Sequence, residues 1–331
     1  MLELSDPLWN KLDHAHRDKH IPTLLSKLSV SWNDEAAISL LWGSLCHQET
    51  CYGATYAAIP HLLKIAEPDA NRHQRREIAL FLGFVALCAQ SEDGVLQGLP
   101  ETLEGWDRKL DCFRYLVERL ERPDRPRREH EQTELLPRYR KVLAVEPVNG
   151  GDLEKILLVK AEFFSALPAI RALCQRALLE NLEDKKAVRH LLSGIAAADG
   201  LLSVASLLSD GDEGFFKCSS CGWGYDYIRF GERIAIYAKE DAMQTAPRRH
   251  GDKNRVRDFE ERAPSRADGF MMPAAENDVL DARTIALLSL AERAPSPEPA
   301  LLLRHFAGSF LCCKCGMLAS MRAAGSAAPP T

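Results

Sequence analysis

Two short cysteine motifs, far apart in the chain, constrain what it can fold into more than any other feature. Cys218-Ser-Ser-Cys221-Gly222 and Cys312-Cys313-Lys314-Cys315-Gly316 each hold two cysteines spaced by two residues and followed by a glycine. That spacing lets both thiolates of a pair face one ion in a tight knuckle. Backbone amides beyond the first cysteine can then donate to its sulfur, and the glycine permits the turn. Two such pairs supply the tetrahedral set preferred by structural zinc, so Cys218, Cys221, Cys312 and Cys315 are the expected ligands of one structural Zn2+ per chain. Four thiolates leave no open coordination position, so the metal is not expected to activate water. Cys313 is the alternative to Cys312; the two-residue spacing favours Cys312 and leaves Cys313 open. A redox-active pair would call for a βαβ setting, and neither motif lies in one.

The texture around the first motif supports a ribbon. Gly214 to Tyr237 is rich in aromatic and β-branched residues, and Tyr225, Tyr227 and Arg229 alternate with Asp226, Ile228 and Phe230. This pattern predicts a β-hairpin or short meander, turning at Gly231. The chain must leave the first pair and return to the second. The expected result is a split zinc ribbon, its halves pinned together by the metal.

Upstream, residues 1–210 read as helix after helix. Ser5, Asp6 and Pro7 start the first, Pro22 opens a second, and Asn33-Asp34 caps a third whose apolar face is Ala37, Leu40, Leu41 and Leu45. Further helices are predicted over 54–66, 76–89, 102–122, 153–181, 187–197 and 201–208, with Pro168 expected to kink or break its helix and Gly200 or Gly211-Asp212 to stop the run. Many short helices with short links predict a mainly α fold, a HEAT-like α-solenoid of paired helices, although no clean repeat period is present. The expected layout is a helical domain over 1–210 and the first ribbon half over 211–240. A flexible linker over 241–276, two helices with the second ribbon half over 277–322, and a disordered tail over 323–331 complete it. Glu121 to Glu131, with two prolines and many charges, reads as a loop.

Composition narrows the function classes. The net charge of −5 gives no global basic field for nucleic acid. No apolar run has signal-peptide or membrane-spanning length, so the expected location is the cytoplasm. In that reducing compartment Cys46, Cys51, Cys88, Cys112 and Cys174, single residues in apolar, helical surroundings, are expected to act as small hydrophobes.

Two stretches resemble a bacterial HEAT-repeat-like family. One is Leu41-Trp42-Gly43-Ser44-Leu45-Cys46-His47-Gln48-Glu49-Thr50-Cys51-Tyr52, continuing through Ala54 and Tyr56 to Ala57-Ala58-Ile59-Pro60-His61-Leu62-Leu63. The other is Phe310-Leu311-Cys312-Cys313-Lys314-Cys315-Gly316, similar to that family's closing zinc knuckle. The likeness covers residues 32–66, 215–237 and 279–318. It departs at Glu49, where the family has glycine, and at Cys313, where proline is commoner. The resemblance implies solenoid repeats and protein binding, and some members sit beside polymorphic toxins as immunity proteins. It fixes no target.

Catalytic motifs are not found. His47-Gln48-Glu49 matches the H-x-E of zinc deaminases only superficially, since Lys217 rather than proline precedes Cys218 and the separation is far too long. There is no phosphate-binding loop, no H-E-x-x-H and no G-x-S-x-G. The expected function is therefore a non-enzymatic protein-binding scaffold, in its sharpest form an immunity protein that neutralises a toxin. The alternative is a nucleic-acid-binding accessory protein. It would use the ribbon, the basic run of Arg248, Arg249, Lys253, Arg255 and Arg257, and a looser group of Arg122, Arg125, Arg127, Arg128, Arg138, Arg140 and Lys141. Acidic residues interrupt both groups, and stacking partners are few.

Overall fold

Cap residues set several of the helix starts. Asn33 accepts from the Ala36 amide, Asn71 from Gln74, Thr102 from Gly105, Asp184 from Ala187 and Asp281 from Thr284, each at 2.8–3.0 Å. Each satisfies one of the amides that a helix start leaves without an intrahelical partner. The helices they start, with their neighbours, are α1 (Ile21–Val30), α2 (Asp34–Leu40), α3 (Gly53–Ile65), α4 (Arg72–Cys88), α5 (Leu103–Glu121), α6 (Leu136–Leu143), α7 (Gly150–Glu180), α8 (Lys185–Ala198), α9 (Leu202–Leu208), α10 (Ala282–Ala291) and α11 (Glu298–Phe306). The strands are β1 (Cys46–His47), β2 (Thr50–Cys51), β3 (Glu213–Lys217), β4 (Gly224–Phe230), β5 (Arg233–Ala238), β6 (Phe270–Met271), β7 (Ser309–Leu311) and β8 (Leu318–Ser320). The computed structural model describes residues 1–13, 20–47, 50–67, 70–90, 96–122, 131–209, 213–230, 233–238, 270–276 and 280–321. The chain is mainly helical with small antiparallel sheets, and no described helix is long and apolar enough to cross a membrane.

The chain divides into two units, Met1–Ala177 and Leu178–Thr331. In the first, α1 to α4 bury Leu25, Leu40, Tyr56, Ile59, Phe81 and Leu82 almost completely. Tyr56 meets Phe163 of α7 edge-on at 5.4 Å. The expected first helix is only one 3-10 turn, Pro7–Asn10, closed by Asp6 accepting from the Leu8 amide. Pro168 does not break α7, which runs 31 residues. Phe163, Ile170 and Cys174 on either side of the proline are fully buried, and that packing outweighs one missing backbone hydrogen bond. Cys46 and Cys51 sit opposite each other on β1 and β2 rather than on helices. The hydrogen bond with the neighbouring Cys46 thiol, and then burial, push the Cys51 thiol far up, which keeps it inert. Cys112 is exposed, contrary to expectation.

Two carboxylates of the first unit give it an acid-sensitive edge. Lys155 donates to Asp6 at 2.6 Å and Lys11 to Asp152 at 2.7 Å. Partial burial raises both carboxyls, and the ammonium partners with nearby backbone amides outweigh it, holding both below the ordinary 3.8. A depressed folded value means stability fully present above the unfolded value and lost as pH falls through the folded one. The melting temperature of this unit should therefore decline from pH 5 to pH 3, less steeply in a Lys11→Met, Lys155→Met double variant. Equal slopes in both proteins would refute this.

The second unit places the two cysteine motifs. β3, β4, β5 and β6 form an antiparallel meander in that order. β5 is one of its two inner strands, with Ile234, Ala235, Ile236 and Tyr237 fully buried. Helix α11 packs on β5, α10 packs on α8 and α11, and Arg189 of α8 pairs with Glu298 at 3.3 Å. Helices α8 and α9 therefore group with the ribbon, although the sequence assigned them to a helical domain ending at 210. Gly200 ends α8 with φ +76°, as expected. Within the predicted linker, residues 270–276 are ordered: the Met272 amide donates to Ile234 and the Ala275 amide to Arg304. At Gly308 a Cβ would lie 1.9 Å from the Pro273 carbonyl oxygen, so only glycine lets α11 turn so closely into β7. The rest of that linker, the loop over 123–130, Gly211-Asp212, Gly231, Gln48-Glu49 and the tail lie outside the described residues.

Candidate metal centre

Each motif sits in the turn of a β-hairpin. Cys218 to Gly222 connect β3 to β4, and Cys312 to Gly316 connect β7 to β8. The two turns have the same internal bonding. The first cysteine's amide donates to the carbonyl five residues on, Trp223 or Met317, at 2.8 and 2.9 Å. Its carbonyl accepts from Gly222 or Gly316 at the same distances. Both glycines are left-handed, φ +73° and +70°, which a side chain would resist. The first cysteine of each pair, Cys218 and Cys312, is buried, and the second, Cys221 and Cys315, is exposed.

The structure brings all four predicted ligands together. Their sulfurs all lie within 4.8 Å of one another. Cys218 Sγ is 3.9 Å from Cys315 Sγ, and Cys221 Sγ is 3.8 Å from Cys312 Sγ. A zinc ion with four sulfurs at about 2.3 Å has tetrahedral edges of about 3.8 Å, so the set fits the ion. A disulfide would need about 2.05 Å. Cys313 lies outside the four-sulfur cluster.

The electrostatics favour a cation. Burial works against ionising Cys312, but the Tyr225 hydroxyl, the Cys315 and Lys314 amides and the Cys221 thiol outweigh it and bring it down to about 6. Cys221 accepts from the Trp223 amide, yet desolvation and the Cys315, Cys312 and Cys218 thiols push it up to about 12. Without a cation the thiols cannot all ionise together; a divalent ion displaces their protons. Lys217 and Lys314 are the only charged side chains in residues 215–225 and 307–321. Both offset the negative charge of four thiolates. Lys314 Nζ also lies 5.0 Å from the Trp223 ring centre.

Sequence reasoning did not find the aromatic floor of the site. Tyr225 is 1% exposed, stacks on Phe216 at 5.4 Å and meets Phe310 edge-on at 5.0 Å. Its hydroxyl donates to Cys312 Sγ at 3.1 Å and accepts from the Cys313 amide at 3.0 Å. The alternating pattern marked Tyr225 as a strand residue, but no local signal links it to a cysteine 87 positions on.

No family model, curated protein or solved structure matches this chain. The resemblance to HEAT-repeat-like proteins therefore stands on the residues quoted for it, and the chemistry of the site stands on its own geometry.

Proposed function

We propose that this chain is a non-enzymatic, protein-binding helical scaffold of the cytoplasm whose second unit is cross-linked by one structural zinc ion. The observation that carries this reading is the set of four sulfurs within 4.8 Å of one another, with two separations of 3.9 and 3.8 Å. Cys218, Cys221, Cys312 and Cys315 would hold the ion, which supplies a cross-link between two hairpins and no reactive position. Consecutive helices pack on one another, α1 on α2, α8 on α9 and α10 on α11. That supports a HEAT-like arrangement of paired helices. Leu311 and Leu318, directly paired across β7 and β8, and Met317 are 62%, 63% and 58% exposed. A cluster of exposed large apolar side chains favours a protein partner over a purely solvated surface.

The sharpest version, immunity against a co-encoded toxin, rests on the family resemblance. Affinity purification of the tagged protein from its native cell, with mass spectrometry of the eluate, tests both. One stoichiometric protein that the purified chain rebinds supports the scaffold, and neutralisation of that protein's toxicity supports immunity. Salt-sensitive nucleic acid in the eluate would favour the second reading, which Lys217 and Lys314 at the knuckles support. Two observations weigh against that reading. Lys314 lies over the Trp223 ring at 5.0 Å, and Arg140 of the looser basic group pairs with Glu121. The run from Arg248 to Arg257, and Arg125, Arg127 and Arg128, lie outside the described residues.

A further inference from the structure

The knuckle in the second hairpin holds two adjacent cysteines, and one phenol oxygen touches both. Tyr225 Oη donates to Cys312 Sγ at 3.1 Å, accepts from the Cys313 amide at 3.0 Å and lies 3.3 Å from Cys313 Sγ. A phenol has one hydrogen and two lone pairs. The hydrogen goes to Cys312, one lone pair to the Cys313 amide, and the other to the Cys313 thiol, so the hydroxyl is fully used. Its ring is clamped between Phe216 and Phe310. The hydroxyl position is therefore fixed by packing, independently of the sulfurs. Cys312 is 2% exposed and belongs to the four-sulfur cluster, while Cys313 is exposed and lies outside it.

We infer that Tyr225 is a positioning residue that selects between two adjacent cysteines, holding Cys312 in the ligand set and Cys313 outside it as a spare thiol. The inference rests on the zinc reading of the four-cysteine site. Donation to the Cys312 sulfur stabilises it as an anionic ligand. Acceptance from the Cys313 amide fixes the knuckle in the register that turns Cys312 inward. Cys313 then stays one residue from the site, able to supply a fourth sulfur when Cys312 cannot.

The test uses the full chain loaded with cobalt(II) as a spectroscopic stand-in for zinc. Wild type should bind one ion with a four-thiolate spectrum; a chain that binds none would overturn the zinc reading itself. In Tyr225→Phe the ring stays and the hydroxyl goes. Transfer of metal to a competing chelator should become about tenfold easier, and the sulfur-to-cobalt absorption should shift. Alkylation of the loaded protein, mapped by peptide mass spectrometry, should spread from Cys313 alone to both Cys312 and Cys313. The spare role is read from Cys312→Ser, which should keep one ion with four-thiolate absorption, whereas the Cys312→Ser, Cys313→Ser double variant should lose that absorption. Wild-type spectrum, transfer and labelling in Tyr225→Phe would overturn the selector. Equal loss in the single and double serine variants would overturn the spare thiol. Circular dichroism of each variant checks folding, and Cys313→Ser alone, at an exposed site, should keep the wild-type spectrum.

Discussion

Cys315→Ser is expected to release the metal and loosen the second unit while the first unit melts as before. Cys315 is exposed, so exchanging its sulfur for oxygen removes no buried contact. Any loss of stability then belongs to the ion. Cys218→Ser should act likewise, with an added packing cost because Cys218 is 2% exposed. Structural zinc contributes on the order of 10 kcal/mol in small finger peptides. That sets an upper bound here, because the second unit also has an apolar core of its own: β5 is buried with α11 packed on it, α10 packs on α11, and Leu287, Leu288, Leu302 and Phe306 of the two helices are buried. The β7–β8 hairpin has less to fall back on. Phe310 and Ala319 are its inward contacts, and Leu311 and Leu318 face outward. Without the ion it should lose amide-exchange protection first, then β3 and β4 at the opposite knuckle. Metal content, a calorimetric scan and hydrogen exchange together read this, and a strong chelator on wild type should reproduce it. One zinc per chain and an unchanged scan in both variants would refute the cross-link.

The parts of this structure that were readable in the sequence are those governed by local rules. The C-x-x-C-G spacing dictates the knuckle whatever surrounds it, so all four cysteines of the cluster could be named. The left-handed glycines, the equivalent hydrogen bonds and the buried-then-exposed order of each pair follow from the same spacing. Asn33 and Gly200 were readable as a helix start and a helix stop for the same reason: each acts on backbone groups within a few residues. What could not be read depends on distant partners. Pro168 stays within α7 because buried contacts on either side of it, at Phe163, Ile170 and Cys174, hold the helix together. Residues 270–276 were expected to be linker, and they are ordered by bonds to Ile234 and Arg304. Helices α8 and α9 belong with the ribbon because α10 and α11 pack on them, a fact carried by no residue in 185–208. Tyr225 is the clearest case, since its role comes from a hydroxyl position set by Phe216 and Phe310 together.

Asp13→Ala should be the most damaging single change among the polar residues of the first unit. Asp13 is 9% exposed. Its Oδ1 accepts from the Gly53 amide at 2.9 Å, at the start of α3, and its Oδ2 pairs with Lys109 Nζ at 2.8 Å. A carboxylate there both caps the helix and complements the positive end of its dipole. Lys109 also donates to the Gly98 carbonyl at 2.8 Å and lies over the Trp106 ring at 4.8 Å. Gly98 itself is held at φ +74°, where a Cβ would meet the Cys51 carbonyl oxygen at 2.6 Å. One carboxylate thus ties the start of α3 to α5 and to the close turn at Gly98. Removing one partner of a buried pair strands the other charge, at about 3–5 kcal/mol. Lys109 keeps some contact with water, its side chain being 20% exposed, so the lower end, about 3 kcal/mol, is expected. Asp13→Asn keeps an acceptor for Gly53 and loses only the charge, so it should cost less. Lys109→Met retains the apolar stem over Trp106, and in the Asp13→Ala background its added cost should be small, because the charge it removes is already stranded. Urea denaturation of the four proteins, read at the transition of the first unit, measures the coupling. A loss below about 0.5 kcal/mol for Asp13→Ala, the level of an ordinary surface change, would mean that the pair is an incidental contact and that α3 is held by its buried face alone.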